Sequence, residues 1–162
     1  MNGDQDEPDI EEQADAVADF VEELLGAMDI DAIAEPAVQG GRYYVDILEG
    51  APDDLALLIG KHGQTLDAIQ ELARHVVGRR LDERIRVLVD VEDYRKRRAA
   101  RLEERAHEAA DRALETGQEQ ELEPMDALER KIVHDAVAAI DGVESGSRGE
   151  EPNRFVVINP AD

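Results

Sequence analysis

The stretch Leu58–Val77, LIGKHGQTLDAIQELARHVV, constrains the fold more than any other part of this chain. It predicts the end of a short helix, an exposed turn GKHG at residues 60–63, and a longer second helix. Apolar residues recur in the second helix at spacings that predict one buried face: Leu66, Ile69, Leu72, Ala73, Val76 and Val77. Two glycines around a Lys and a His let a nucleic-acid backbone approach closely, and the N–H groups at the following helix start favour a phosphate there.

The GKHG turn also has a purely structural explanation. Gly60 is suited to cap the short helix and Gly63 to precede the long one, as glycines do in many helical hairpins. The apolar helices on both sides and the strand that follows favour the nucleic-acid interpretation.

Composition limits the class of protein. A chain of 162 residues fits one medium domain or two small ones. The absence of cysteine excludes a disulfide framework, a thiolate nucleophile and a Cys-based zinc site. The N-terminus lacks the basic and apolar segments of a signal peptide, and no apolar run approaches the roughly 18 residues of a spanning helix. We therefore expect a soluble, cytoplasmic protein with no membrane span.

The formal net charge of -22 opposes nucleic-acid binding at long range. The charge is unevenly distributed, however, because residues 1–35 hold 13 of the 40 acidic side chains and no Lys or Arg. Residues 74–112 contain 12 basic against 9 acidic side chains. A local basic surface on an acidic protein is therefore possible, and a halophilic source is a second explanation of the acidity.

Hydrophobic patterns and turn residues predict the elements of the first half. Residues 1–11 are acidic with few apolar side chains, so we expect a disordered tail. The predicted elements that follow are a helix Glu12–Met28, a weak strand Ile30–Val38 placed at a sheet edge by Pro36, a strand Arg42–Leu48, a short helix Leu55–Ile59 capped by Asp53 or Asp54, the GKHG turn, a long helix ending at Gly78, and a strand Arg84–Val91.

The second half is predicted to be richer in helix. Its elements are a helix Tyr94–Gly117, a short strand Glu121–Met125, a helix Asp126–Ile140, and two strands within Val143–Ile158. Arg130 and His134 are four residues apart and share a helical face, so they can act on one anion, although most such pairs are ordinary surface residues. Glu129 falls in the apolar arc of the same helix, which periodicity does not explain.

The helix from Tyr94 opens with a cluster of basic residues: Arg95, Lys96, Arg97, Arg98 and Arg101. A solvated helix face with Glu–Arg pairs explains such a cluster structurally. Contact with phosphates is the alternative explanation.

The element order around GKHG resembles the type II KH fold, whose GXXG loop grips about four single-stranded nucleotides. The Arg-x-x-x-His pair followed by SRGEEPNRFVVI resembles the RxxxH (R-three-H) domain, a module that binds single-stranded nucleic acid. The two motifs in this order resemble the Jag family, also called SpoIIIJ-associated or KhpB proteins.

This resemblance implies an α+β protein of two small domains. A type II KH domain with helices on one face of a three-stranded sheet would cover residues 12–92, and an RxxxH domain residues 93–162. Carried over by motif, the RNA-binding residues are Gly60, Lys61, His62, Gly63, Arg130 and His134. Additional phosphate contacts are expected from Arg95, Lys96, Arg97, Arg98, Arg101 and Arg154.

The resemblance also implies a bacterial, cytoplasmic single-stranded RNA binder in RNA-level regulation of cell elongation and division. Such proteins sometimes work with a small separate KH protein. Many members carry a further N-terminal domain with a basic linker, whereas an acidic tail takes that place here. No cofactor or metal is implied.

Two other classes of function remain open at this stage. A protein-interaction adaptor would use the acidic helix Glu12–Met28 to dock a basic partner and bind little or no RNA. Catalysis is not expected, because the four histidines form neither a metal-type pair nor a nucleophile constellation: His62, His75, His107 and His134.

Overall fold

The computed structural model describes residues 9–161, and the chain divides between Tyr94 and Arg95 into two compact units. The first unit contains α1 (Ile10–Ala27), β1 (Ile33–Gln39), β2 (Arg42–Leu48), α2 (Pro52–Ile59), a 3₁₀ turn (Lys61–Gly63), α3 (Gln64–Leu81) and β3 (Leu88–Val91). The remaining elements are α4 (Tyr94–Thr116), β4 (Gln120–Glu121), α5 (Ala127–Ala138), β5 (Val143–Arg148) and β6 (Phe155–Pro160). Helices with two small three-stranded sheets confirm the predicted α+β class.

The sheet of the first unit has the order β1-β2-β3, with β1 antiparallel and β3 parallel to β2. Pro36 lies in β1 opposite Val45, and β1 is an edge strand as predicted, where a residue without an N–H is tolerated. The core lies between this sheet and the helices, and includes Val17, Val21, Val45, Ile47, Leu58, Leu66 and Val89.

Two helix starts in the first unit differ from the prediction. α1 begins at Ile10, and Asp9 caps it by accepting the Glu11 N–H at 3.2 Å, so the predicted start at Glu12 is wrong by two residues. The rest of the predicted tail, residues 1–8, lies outside the described residues. α2 begins at Pro52, whose fixed φ suits a first helical position, so Asp53 and Asp54 lie in the first turn and do not cap it.

The long helix α3 continues through Gly78 to Leu81, so its predicted end at Gly78 is wrong. A Cβ at position 78 would lie 2.8 Å from the backbone oxygen of Glu83. Gly78 therefore allows the chain after the helix to pass close to α3, and the left-handed residue that ends the helix is Asp82.

Strand β3 is shorter than predicted because residues 84–87 pair with side chains and not with a strand. Gln13 accepts the Arg86 N–H at 3.0 Å, and Gln70 accepts the Val89 N–H at 2.6 Å and donates to the Val87 carbonyl at 3.1 Å. Both glutamines are buried. Their hydrogen bonds satisfy backbone N–H and C=O groups of an extended segment, which sequence periodicity alone predicted to be a strand.

The second unit packs α4 and α5 on an antiparallel sheet of order β4-β6-β5. Its core includes Leu102, Ala106, Ala110, Val133, Val137, Val156 and Ile158. β4 spans only Gln120–Glu121, whereas Glu121–Met125 was predicted. α5 begins at Ala127 after the cap Asp126 and ends at Ala138, two residues before the predicted end.

Candidate nucleic-acid interface

The GKHG turn depends on backbone conformations that favour glycine. Gly60, His62 and Gly63 have φ angles of 72°, 54° and 76°. A Cβ at Gly60 would lie 2.2 Å from the hydroxyl oxygen of Thr65, and one at Gly63 would lie 2.9 Å from the ring of Tyr94. Both positions are therefore closed to larger residues, and the turn is held in one shape from both sides.

The polar groups of this turn face the solvent. Lys61 is exposed and His62 is half-buried. The N-cap residue of α3 is Gly63, which has no side chain to cap the helix. The N–H of Gly60 bonds to the Ala56 carbonyl at 2.9 Å, so Gly60 also caps the short helix α2, as the structural explanation predicted. A cationic side chain beside the start of a helix is a geometry that accepts an anion.

Arg130 is buried, with 8% of its surface exposed. Its Nη1 donates to the Met125 carbonyl at 2.7 Å, and its Nη2 contacts a carboxylate oxygen of Glu151 at 2.6 Å. The side chain of Glu151 is 57% exposed, so solvent reaches the carboxylate that holds the guanidinium. The arginine thus joins α5 to two neighbouring segments and presents its charge through a contact that an anion can displace.

His134 lies between two serine hydroxyls of β5. Its Nδ1 is 2.7 Å from Ser145 Oγ and its Nε2 is 2.9 Å from Ser147 Oγ. A neutral imidazole donates to one hydroxyl and accepts from the other, so the hydroxyl that receives the N–H keeps its own hydrogen for a further acceptor. The group therefore offers an O–H donor to a phosphate oxygen.

Sequence reasoning missed three residues at this site: Ser145, Ser147 and Glu151. The two serines were recognisable, because residues two apart in a strand point to the same face. Glu151 carried no such signal, since it lies in the turn between β5 and β6 and only the folded chain brings it to Arg130. A neighbouring pair was missed too: Arg148 donates to both carboxylate oxygens of Glu119 at 2.5 Å, and this hydrogen bond raises the pKa of Arg148.

The basic opening of α4 is not uniform. The Arg98 Nε donates to Glu129 at 2.7 Å, and only 14% and 9% of the two side chains are exposed. This ion pair explains the carboxylate in the apolar arc of α5, and it removes Arg98 from the surface. Lys96, Arg97 and Arg101 are exposed and Arg95 is half-buried, while Arg154 is exposed just before β6.

The described residues contain no cluster of three or more His, Asp or Glu side chains arranged to hold a metal ion. None of the helices in that part of the chain is long and apolar enough to cross a membrane.

Two domain families match the chain in the predicted order. Residues 14–89 match the KH domain of KhpA/KhpB, and residues 100–160 match the R-three-H domain, named after the Arg-x-x-x-His pair. Neither of these is an enzymatic family.

Three relatives share the name "RNA-binding protein KhpB". The Streptococcus pneumoniae protein is 35% identical over 151 residues, which cover 93% of this chain and 45% of the relative. The Clostridium symbiosum protein is 39% identical over 147 residues, 90% of this chain and 65% of the relative. The Bacillus subtilis protein is 42% identical over 106 residues, 64% of this chain and 51% of the relative. The chain thus spans less than two thirds of the length of these curated relatives.

The matched domains cover most of the chain, and the relatives align across both of them. These findings confirm the resemblance drawn from the GKHG turn and the Arg130–His134 pair. The chain therefore belongs to the KhpB (Jag) family, in which a KH domain precedes an R-three-H domain.

Proposed function

We propose that this chain binds single-stranded RNA and catalyses no reaction on it. The GKHG turn grips the sugar-phosphate backbone of about four nucleotides, with Lys61 and the N-terminus of α3 facing the phosphates. The observation that carries this proposal is the geometry of the turn. Two glycines at positive φ hold the turn in one shape, with Thr65 and Tyr94 packed where their side chains would lie, and Lys61 is exposed between them.

The second unit contributes a phosphate site in this proposal. Arg130 supplies the charge, and His134 with Ser145 and Ser147 supplies polar donors. Lys96, Arg97, Arg101 and Arg154 are exposed cations and Arg95 is a half-buried one, which we include as further phosphate contacts. Arg98 is left out because Glu129 holds it in a buried ion pair.

The setting of this activity follows the family. We propose that the protein works in the cytoplasm of a bacterium, where its RNA ligands are, and acts in RNA-level control of cell elongation and division. A small separate KH protein is the proposed protein partner. The printed name of the relatives, "RNA-binding protein KhpB", supports the RNA-binding part of this proposal.

A protein-interaction adaptor is the second candidate. It is favoured by the exposed surface of α1, which carries only acidic charged residues: Glu11, Glu12, Asp15, Asp19, Glu22 and Glu23. Such a face suits a basic protein partner and repels RNA.

Salt dependence separates the two candidates. The dissociation constant of the full chain for single-stranded RNA is measured between about 50 and 200 mM salt. An RNA binder that neutralises several phosphates shows a log-log slope of roughly -0.7 for each contact. Absence of measurable binding at the lowest salt concentration would refute the RNA-binding function and favour the adaptor.

A further inference from the structure

An open groove of about 810 Å³ lies in the first unit, away from the GKHG turn. Its walls come from α3, from the start of β2 and from the segment that leads into β3, and Ile10 of α1 also lines it. Arg74 on its α3 wall is eleven residues after Gly63, or about 16 Å along the helix axis at 1.5 Å per residue. The groove and the turn therefore lie at different places along the same helix.

The groove is basic, although the chain as a whole carries a net charge of -22. Its lining contains four arginines, Arg42, Arg74, Arg84 and Arg86, against two glutamates. Among the described residues, Arg42 and Arg84 have no carboxylate partner within ion-pair distance.

The two glutamates of the groove are already engaged. Glu71 contacts Arg74 at 2.8 Å in a pair whose side chains are 56% and 46% exposed, so this pair contributes little to stability and competes weakly with a stronger anion. Glu83 accepts the amide of Gln13 at 3.0 Å. The groove thus retains an excess of positive charge.

The arginines of the third wall stand on a fixed backbone. Gln13 and Gln70, exposed by only 2% and 4%, hold residues 84–89 extended through the hydrogen bonds described above. In this extended segment Ile85 and Val87 are buried, while Arg84 and Arg86 are exposed. Their guanidinium groups therefore emerge on the same side of a rigid segment, which lowers the entropic cost of binding an anion.

We propose that this groove is a second phosphate-binding site of the first unit, and that it takes the backbone of a single RNA strand extending beyond the GKHG turn. The inference rests on the proposed RNA-binding function and extends its ligand from a tetranucleotide to a longer single strand. Tyr43 lines the groove beside the arginines and is one of only five aromatic residues in the chain, three Tyr and two Phe. An aromatic ring that can stack on a base, next to cations that can bind phosphates, favours a nucleic acid over an acidic peptide.

The test compares a short and a long RNA. The double variant Arg42→Gln/Arg84→Gln changes two exposed side chains, so its fold should survive, as circular dichroism would verify. We expect its affinity for a tetranucleotide to stay within about twofold, whereas its affinity for a twelve-nucleotide strand falls about tenfold or more. Its log-log salt slope for the long strand should shrink by about 1.4, which is two contacts at roughly 0.7 each.

The matched control is Arg79→Gln/Arg112→Gln, which removes two exposed arginines outside the groove lining and makes the same change in charge. Equal losses of affinity for the long strand in the two double variants would overturn the groove proposal. Unchanged binding of the long strand by the groove variant would overturn it as well. Oligoglutamate serves as the probe for an acidic protein ligand. If the groove variant no longer binds oligoglutamate but still binds the long RNA as the unmodified chain does, the groove proposal is also overturned. If the unmodified chain binds the tetranucleotide but gains nothing from a longer strand, only the groove proposal fails. If it binds neither RNA, the proposed function fails as well.

Discussion

At the scale of single residues, the contact between Arg130 and Glu151 determines how readily an anion reaches the proposed phosphate site of the second unit. Glu151 places a carboxylate oxygen 2.6 Å from the guanidinium, in the position that the proposal gives to a phosphate oxygen, and its side chain is 57% exposed. If the proposed phosphate site is correct, a chain carboxylate in this position competes with RNA for the arginine. The hydrogen bond from Arg130 to the Met125 carbonyl uses the other terminal nitrogen, Nη1.

The variant Glu151→Gln should therefore bind single-stranded RNA more tightly, by about three- to tenfold, which corresponds to roughly 0.7–1.4 kcal/mol. The amide oxygen of glutamine can still accept from Arg130, so the fold should be kept. Glu150→Gln is the control, because it removes the same charge at the neighbouring, exposed position. Equal gains in the two variants would show that general charge, and not competition for Arg130, determines the effect.

Asp46 is a second residue whose environment has a measurable effect, because a shift in its pKa makes the stability of the fold depend on pH. Burial raises its pKa above the ordinary value of an aspartate. Asp90 and Glu35, which lie beside it on the two neighbouring strands, and nearby Asp93 raise this pKa further. Because the folded state then binds the proton more tightly, Asp46 favours folding only at low pH, and this contribution is lost as the pH rises through its folded pKa.

We expect Asp46→Asn to raise the free energy of unfolding at pH 7, where the native aspartate is ionised beside other carboxylates. The gain should shrink as the pH falls toward about 4, near the pKa of an unfolded aspartate. Urea unfolding at a series of pH values measures this, with Asp111→Asn as a control at an exposed position of α4. A gain that does not depend on pH, or none relative to the control, would contradict the assignment.

The candidate site was predictable in part at this scale. A motif places Gly60, Lys61, His62 and Gly63 in one turn because the four residues are adjacent in the chain. Helical spacing likewise places Arg130 and His134 on one face. The partners of Arg130 lie outside α5, and no local pattern in the sequence predicts a contact that forms only in the folded chain.

At the scale of elements, the two glycines inside long helices differ in what surrounds them. Gly26 lies near the end of α1, where a Cβ would meet nothing within 4 Å. Gly78 lies within α3, where a Cβ would meet the Glu83 backbone oxygen at 2.8 Å. The same substitution should therefore have opposite effects at the two positions.

Gly26→Ala should stabilise the protein by up to about 1 kcal/mol, since alanine favours a helix over glycine. Gly78→Ala should destabilise it by roughly 1–3 kcal/mol, because the backbone after α3 must move away. The difference in melting temperature between the two variants is the measurement. Stabilisation by both substitutions would refute the close approach at Gly78.

The elements themselves followed from the sequence wherever their hydrogen bonds are local. The bounds of β2 were predicted without error, because a run rich in aromatic and β-branched residues follows a clear turn signal. The prediction was wrong at residues 84–87, because Gln13 and Gln70 from distant helices take the place of a strand partner. It was also wrong at Gly78, where glycine serves a tertiary contact and not a helix end.

At the scale of the whole molecule, acidic charge opposes the proposed function. Residues 1–8 contain Asp4, Asp6 and Glu7, and they precede Ile10, which lines the basic groove. Negative charge attached at this point should weaken the binding of RNA through long-range repulsion.

Removal of residues 1–8 should leave the free energy of unfolding nearly unchanged, since Asp9 remains as the cap of α1. RNA affinity should rise by about twofold at low salt and by less at high salt, where charge is screened. A chain with Asp4→Asn, Asp6→Asn and Glu7→Gln tests charge without a change of length. A large loss of stability on truncation, or weaker RNA binding, would contradict this expectation.

A longer truncation through residue 11 makes a useful contrast. It removes the Asp9 cap and Ile10, which packs against the core of the first unit. We expect this chain to lose about 1 kcal/mol or more of stability, because a lost N-cap alone costs about that much.

The central claim is that the GKHG turn binds the RNA backbone, and one variant tests it most directly. Lys61→Asp/His62→Asp keeps both glycines, and aspartate tolerates the positive φ of residue 62, so the fold should persist. Two carboxylates would then face the phosphates. The neutral pair Lys61→Gln/His62→Asn is the matched control for the loss of the native side chains.

The measurement is the dissociation constant of the full chain for a single-stranded tetranucleotide, with folding verified by circular dichroism. We predict that affinity falls at least about tenfold in the aspartate variant, or about 1.4 kcal/mol, with a smaller loss in the neutral control. Unchanged affinity of a folded aspartate variant would contradict the claim that the GKHG turn holds RNA.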